Sequence, residues 1–142
     1  MDEQSFRTAA RERGRSVMRE VLGEDYMEIR DSTTSPLNSA VRAMSEEFVY
    51  GDLWERPALD RRTRSLVTLA MLCALNRPNE LRIHLIAAHR NGLTAEEIAE
   101  VFTQASAYCG FPAAIDGLRI AAEVLGHREL GPSAGAASDR SG

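Results

Sequence analysis

Glu80 and His84 stand four residues apart in the segment NELRIHLIAAHRNG, from Asn79 to Gly92, whose other residues read as a buried helix. At that spacing the two side chains share one helix face. A carboxylate there can accept a hydrogen bond from one imidazole nitrogen. That fixes the tautomer and leaves the second nitrogen free to move a proton. The same spacing equally suits a first-turn glutamate that complements the helix dipole beside a histidine bonded within the core. Spacing alone leaves both readings open. His89 falls on another face and is expected at the surface. No third ligand is spaced to complete a metal site, so no metal is expected.

A second group of chemically capable residues precedes this helix. The segment RRTRSLVTLAMLCALN opens with Arg61, Arg62 and Arg64, then turns apolar nearly all round. Cations at a helix N-terminus oppose the macrodipole, at about 0.3–1 kcal/mol each. Either surface acids neutralise them, or one of them faces an anion. The two cysteines, Cys73 and Cys109, lie far apart in apolar helical contexts. Neither a redox pair nor a zinc site has that spacing, and both are expected as buried free thiols. There is no Gly-rich phosphate loop and no nucleophile elbow.

These residues must be positioned by helices, because no segment alternates with period two. A charged amphipathic helix is expected over residues 5–22, ended by Gly23. Residues 24–36, EDYMEIRDSTTSP, read as a linker rich in cap and turn residues. Leu37, Val41, Met44, Phe48 and Val49 are spaced for one face of a helix over 37–50. Asp60 caps a central, buried helix over 60–75. Pro78 suits the first position of the next helix, and Gly92 follows its end. Thr94 and Glu97 form a capping box for a further helix. Gly110-Phe111-Pro112 separates it from a last one, which ends at Gly126. The result is an all-α fold of about six helices, centred on an antiparallel pair, 60–75 with 78–91. The domain is expected to span 1–126. The tail 127–142 is polar, rich in Gly, Ser and Ala, and expected to be disordered.

The chain has 142 residues, enough for one domain, with 44 % hydrophobic and 27 % charged residues. Its 17 basic and 21 acidic residues give a net charge of −4, which argues against a nucleic-acid partner. No apolar run approaches the ~20 residues of a membrane span, and the N-terminus has no signal-peptide pattern. A cytoplasmic protein is expected. Two adjacent helices this apolar are hard to cover in one small domain, so a homo-oligomer is expected.

The run from Gly51 to Ala114 resembles the carboxymuconolactone decarboxylase family, within the alkylhydroperoxidase-like superfamily. The likeness rests on W-x-R-P-x-L-D-R-R-T-R-S-L, E-L-R-x-H-x-x-A-A, R-N-G-L-T, E-I-x-E-V and Y-C-G-x-P-A-A. It implies a helical bundle that assembles as a ring-shaped homo-oligomer, trimer or hexamer, and works without a cofactor. Peroxidase-like members of the superfamily carry a C-x-x-C four residues before the histidine matching His84. Here those positions hold Arg77 and Glu80, so thiol-disulfide chemistry is not available.

In the decarboxylating branch the reaction is loss of CO₂ from 4-carboxymuconolactone, a carboxylated lactone of aromatic (protocatechuate) catabolism, to give 3-oxoadipate enol-lactone. The site must stabilise an enolate-like charge and then protonate carbon. The resemblance gives catalysis to His84 and Glu80, with Glu80 orienting the imidazole. Arg64 or Arg62 would hold a substrate carboxylate. Tyr108 would bond the lactone or close the pocket, or else be a core tyrosine. The family's last helix more usually reads P-A-A-N-x-A-F-H, whereas this chain has Ile115, Leu118 and Arg119 in place of the N, F and H. Arg119 puts a fixed positive charge where an imidazole is usual, and it is a further substrate-binding candidate. A related lyase or isomerase acting on another lactone or β-keto acid is the alternative. A non-catalytic oligomeric binding protein is the remaining one.

Overall fold

The computed structural model describes residues 2–126. The expected tail, 127–142, lies outside the described residues. Among the described residues there is no strand, and seven α-helices follow one another: α1 (Glu3–Leu22), α2 (Glu24–Ser32), α3 (Ser39–Met44), α4 (Arg61–Ala74), α5 (Pro78–Arg90), α6 (Ala95–Cys109) and α7 (Phe111–Leu125). A π-helical turn, Ser45–Tyr50, and a 3₁₀ turn, Leu53–Glu55, join α3 to α4.

Local chemistry explains most boundaries. The Asp2 carboxylate accepts from the Ser5 amide at 2.7 Å, and that of Asp60 from the Thr63 amide at 2.7 Å. Thr94 and Glu97 complete the capping box of α6 in both directions. Pro78 opens α5 and Pro112 lies in the first turn of α7, where a missing amide proton costs nothing.

The linker expected over 24–36 is mostly helix α2. Gly23, at φ +97°, turns the chain, and Glu24 and Asp25 then sit in the first turn of α2, where acids favour a helix start. The cap-forming Ser and Thr residues come only at its end. There Thr33 and Thr34 hydroxyls donate back to the Ile29 and Arg30 carbonyls.

Two cores share one helix. Leu69, Cys73, Leu81, Leu85, Ile98, Phe102 and Ile120 form the core of α4–α7. Val17, Met18, Val21, Met27, Tyr50, Trp54 and Ala87 form a second one beneath α1, α2 and the two turns. α5 contributes Leu81, Leu85 and Ala88 to the first and Ala87 to the second, so it is the wall between them. His84 therefore sits on a helix held from two sides.

The region 37–50 inverts its apolar face. Leu37, Val41, Met44 and Phe48 are exposed, while Glu46 is only 2 % exposed. The cause is a set of long-range charges. Glu46 accepts from Arg11 Nε at 2.6 Å, Arg15 Nη1 at 3.0 Å and Arg30 Nε at 3.3 Å. Burial alone would raise its pKa, but the Arg11 bond and the Arg11 and Arg15 charges hold it below the usual carboxylate range. Gly14 admits this contact: a Cβ there would meet the Glu46 carbonyl oxygen at 1.7 Å.

Two further expectations are corrected. Helix α4 is not buried all round: Leu69 and Cys73 are covered, but Val67, Met71 and Leu75 are exposed. Cys73 is a buried free thiol as expected, whereas Cys109, at the end of α6, is an exposed one.

Candidate active site

His84 lies near the middle of α5 and is 9 % exposed. Its imidazole stacks on the Trp54 indole with centroids 6.4 Å apart and planes 19° apart. Trp54 stacks in turn on Tyr50 at 5.9 Å and 14°. Burial lowers the His84 pKa from 6.5 to about 4, so the ring is neutral near pH 7. Its Nδ1 is buried and has no hydrogen-bond partner. Buried polar atoms are seldom left so, which makes Nδ1 a candidate for contact with a substrate.

A second buried atom is in the same condition. Arg64 Nε has no partner, while Arg64 Nη2 donates to the Arg56 carbonyl at 2.9 Å. The short stretch from Trp54 to Arg56 thus touches both groups: its indole covers His84 and its carbonyl anchors Arg64. A desolvated neutral imidazole and a guanidinium edge with an unused donor suit an acidic substrate that must exchange a proton.

Glu80 is exposed, in the first turn of α5. No hydrogen bond joins it to His84 among the described residues, and no carboxylate contributes to the His84 shift. Its charge is felt instead by Tyr50, whose phenol is raised above its ordinary range by burial first, then by Tyr26 and Glu80. Glu80 thus borders the far end of the ring stack.

The remaining candidates lie elsewhere. Arg62 is ion-paired with Glu97, and Arg61 with Glu20 and Glu55, so two of the three leading arginines of α4 are neutralised by acids. Arg119 is exposed and pairs with Asp116 and Glu123. Tyr108 is 84 % exposed, not a core tyrosine. It lines an open apolar groove of about 710 Å³ between α4 and α6, with Leu66, Val67, Val101 and Ala105, and His84 is not among its lining residues. His89 is exposed, as expected.

Sequence reasoning missed Trp54 and Tyr50. A signal existed: the chain's one tryptophan stands in a loop segment between Gly51 and Pro57, inside the W-x-R-P motif. A large aromatic in a loop is usually there to cover something.

No group of three or more His, Cys, Asp and Glu side chains among the described residues could hold a metal ion. No helix among them is long and apolar enough to cross a membrane.

Comparison with known proteins identifies the family. Residues 40–123 match the carboxymuconolactone decarboxylase family model. A 4-carboxymuconolactone decarboxylase from Acinetobacter baylyi is 38 % identical over 130 residues, 92 % of each chain. A nitrosuccinic acid decarboxylase from Metarhizium robertsii is 33 % identical over 112 residues, 79 % of this chain and 78 % of its own. The W-x-R-P loop that covers His84 and the helix that carries it both lie inside the matched region, and the chain belongs to the carboxymuconolactone decarboxylase family.

Proposed function

We propose that this protein is a cofactor-independent carboxy-lyase that converts 4-carboxymuconolactone to 3-oxoadipate enol-lactone. The observation that carries this reading is the buried, neutral His84 with an unpartnered Nδ1. The relative from Acinetobacter baylyi, matched over nearly the whole chain, supports the substrate.

The residues divide the work as follows. Arg64 offers its free Nε to a substrate carboxylate, so that the anion enters with its charge met. A carboxylate beside His84 favours the imidazolium, so the loaded site takes up a proton that the empty site refuses. The C–C bond to the departing carboxyl group then breaks. Its electron pair moves into the conjugated lactone carbonyl, and CO₂ leaves. The negative charge has passed from the carboxylate to the enolate, and the buried imidazolium gives its proton to the enolate carbon, which returns the ring to its neutral state. Glu80, exposed in the first turn of α5, acts in this reading only by its charge, which reaches Tyr50 at the other end of the ring stack. Arg62, Tyr108 and Arg119 have no part in this reading within one subunit.

The reading includes a homo-oligomer, trimer or hexamer, supported by the exposed Val67, Met71, Leu75, Phe111 and Ile115. It also includes a cytoplasmic location, which the two free thiols suit.

A second reading keeps the chemistry and changes the acid. The Metarhizium robertsii relative is named for nitrosuccinic acid, and Ile115, Leu118 and Arg119 depart from the more usual family pattern. Supplying the purified protein with 4-carboxymuconolactone and, separately, nitrosuccinic acid and β-keto acids, and measuring CO₂, distinguishes the two.

A further inference from the structure

Trp54 occupies a 3₁₀ turn, Leu53–Glu55, yet is 5 % exposed. It is the middle of three near-parallel rings in series, Tyr50, Trp54 and His84. The first ring is firmly backed. Tyr50 ends the π-helical turn that begins beside Glu46, and Glu46 is clasped by Arg11, Arg15 and Arg30. The Gly51 amide donates to the Glu46 carbonyl at 2.9 Å and closes that turn. π-Helical turns are rare and gather at functional sites. Here the turn puts Glu46 and Tyr50 inward together, one toward the arginines and one toward the indole.

We propose that Trp54 is a positioning residue for the decarboxylation: it fixes the plane of the His84 imidazole and excludes water from it, so that Nδ1 keeps no partner until substrate arrives. This rests on the reading that His84 carries the proton. An aliphatic side chain could fill the volume, but a flat ring also restricts imidazole rotation. Direct charge stabilisation is the smaller part, since 6.4 Å lies just beyond the ~6 Å of an effective cation–π contact.

Three of the groups already described could compete with this control. From α5 there is Glu80, which acts on Tyr50; from the π-helical turn, the Tyr50 phenol, raised and neutral; from α4, Arg64, anchored on the Arg56 carbonyl. None contributes to the lowering of His84, which comes from desolvation alone. Whatever keeps water away therefore sets its protonation, and the indole is the aromatic cover stacked on it.

The test is an NMR titration of the His84 ring in the full chain, with steady-state kinetics alongside, for wild type, Trp54→Phe and Trp54→Ala. Wild type should titrate near about 4. Trp54→Ala should move the midpoint toward 6.5 and lower kcat at least roughly tenfold with KM changed about twofold or less. Trp54→Phe, with a smaller ring, should do part of both. A folded Trp54→Ala that titrates like wild type, or that changes KM alone, overturns the proposal. If Trp54→Ala does not fold, a Trp54→Phe indistinguishable from wild type in both readouts overturns it. The titration needs no substrate. Wild type inert on the lactone thus overturns the functional reading, whereas an unmoved midpoint with an active wild type overturns only the role of Trp54.

Discussion

The His84 imidazole lies against the Trp54 indole at 6.4 Å and 19°, and its buried Nδ1 has no hydrogen-bond partner. A fold arranged only for stability would not keep this. Leaving a buried polar atom unpaired costs about 1–3 kcal/mol. In the proposed activity that atom is the one that meets the substrate.

His84→Leu should therefore separate stability from activity. Removing a desolvated, unpaired imidazole should leave the urea midpoint unchanged or raised. Activity on the lactone should fall by about 10²–10⁴, the usual contribution of a positioned acid-base group. A destabilised variant would mean that the histidine is a core residue with partners.

Stability should depend on pH through the same ring. The folded value is about 4 and the ordinary one 6.5. Below pH 6.5 the unfolded chain takes up a proton that the folded chain refuses. This contribution is thus fully present above 6.5 and is lost as pH falls from there toward about 4. The loss is about 3 kcal/mol across that window. Urea unfolding of wild type and His84→Leu at pH 7 and pH 4.5 checks it: the variant should show the smaller loss.

Arginine at position 64 should not be replaceable. Arg64→Lys keeps the charge but removes the planar Nε donor, and KM should rise by about 10–100-fold. Arg62→Gln and Arg119→Gln, which break only exposed ion pairs, should change kcat/KM about twofold or less. Steady-state kinetics on the three variants rank them.

Glu46→Ala should be among the most destabilising single changes. It leaves Arg30, 8 % exposed, without its carboxylate, and breaking such a pair costs about 3–5 kcal/mol. The urea midpoint measures it. Exposed pairs such as Arg7–Glu3 serve as the control, with an expected effect below about 1 kcal/mol.

The helices that bear the site were legible because their signals are local. Asp60, Pro78, Gly92, the Thr94–Glu97 box and Gly110 each mark a boundary within a few residues of themselves. Helix α2 is hidden in the sequence because the Ser and Thr residues that end it make the whole stretch resemble a linker. The inward face of 37–50 could not be read at all. Its apolar stripe obeys the helical period, but Arg11, Arg15 and Arg30 reach Glu46 from distant positions and reverse the face. The site shows the same division. Glu80 and His84 stand out by spacing, yet no bond joins them, and the ring that covers His84 comes from another element. Arg62 and Arg64 looked alike in sequence, and only the acid opposite Arg62 separates them.

The most direct test is to supply purified, folded protein with 4-carboxymuconolactone and follow CO₂ release and ultraviolet absorbance, with His84→Leu in parallel. Stoichiometric CO₂ and an absorbance change from the wild type, with neither from the variant, is the predicted result. Lactone left intact by folded wild-type protein, or turned over equally by the variant, would contradict the account.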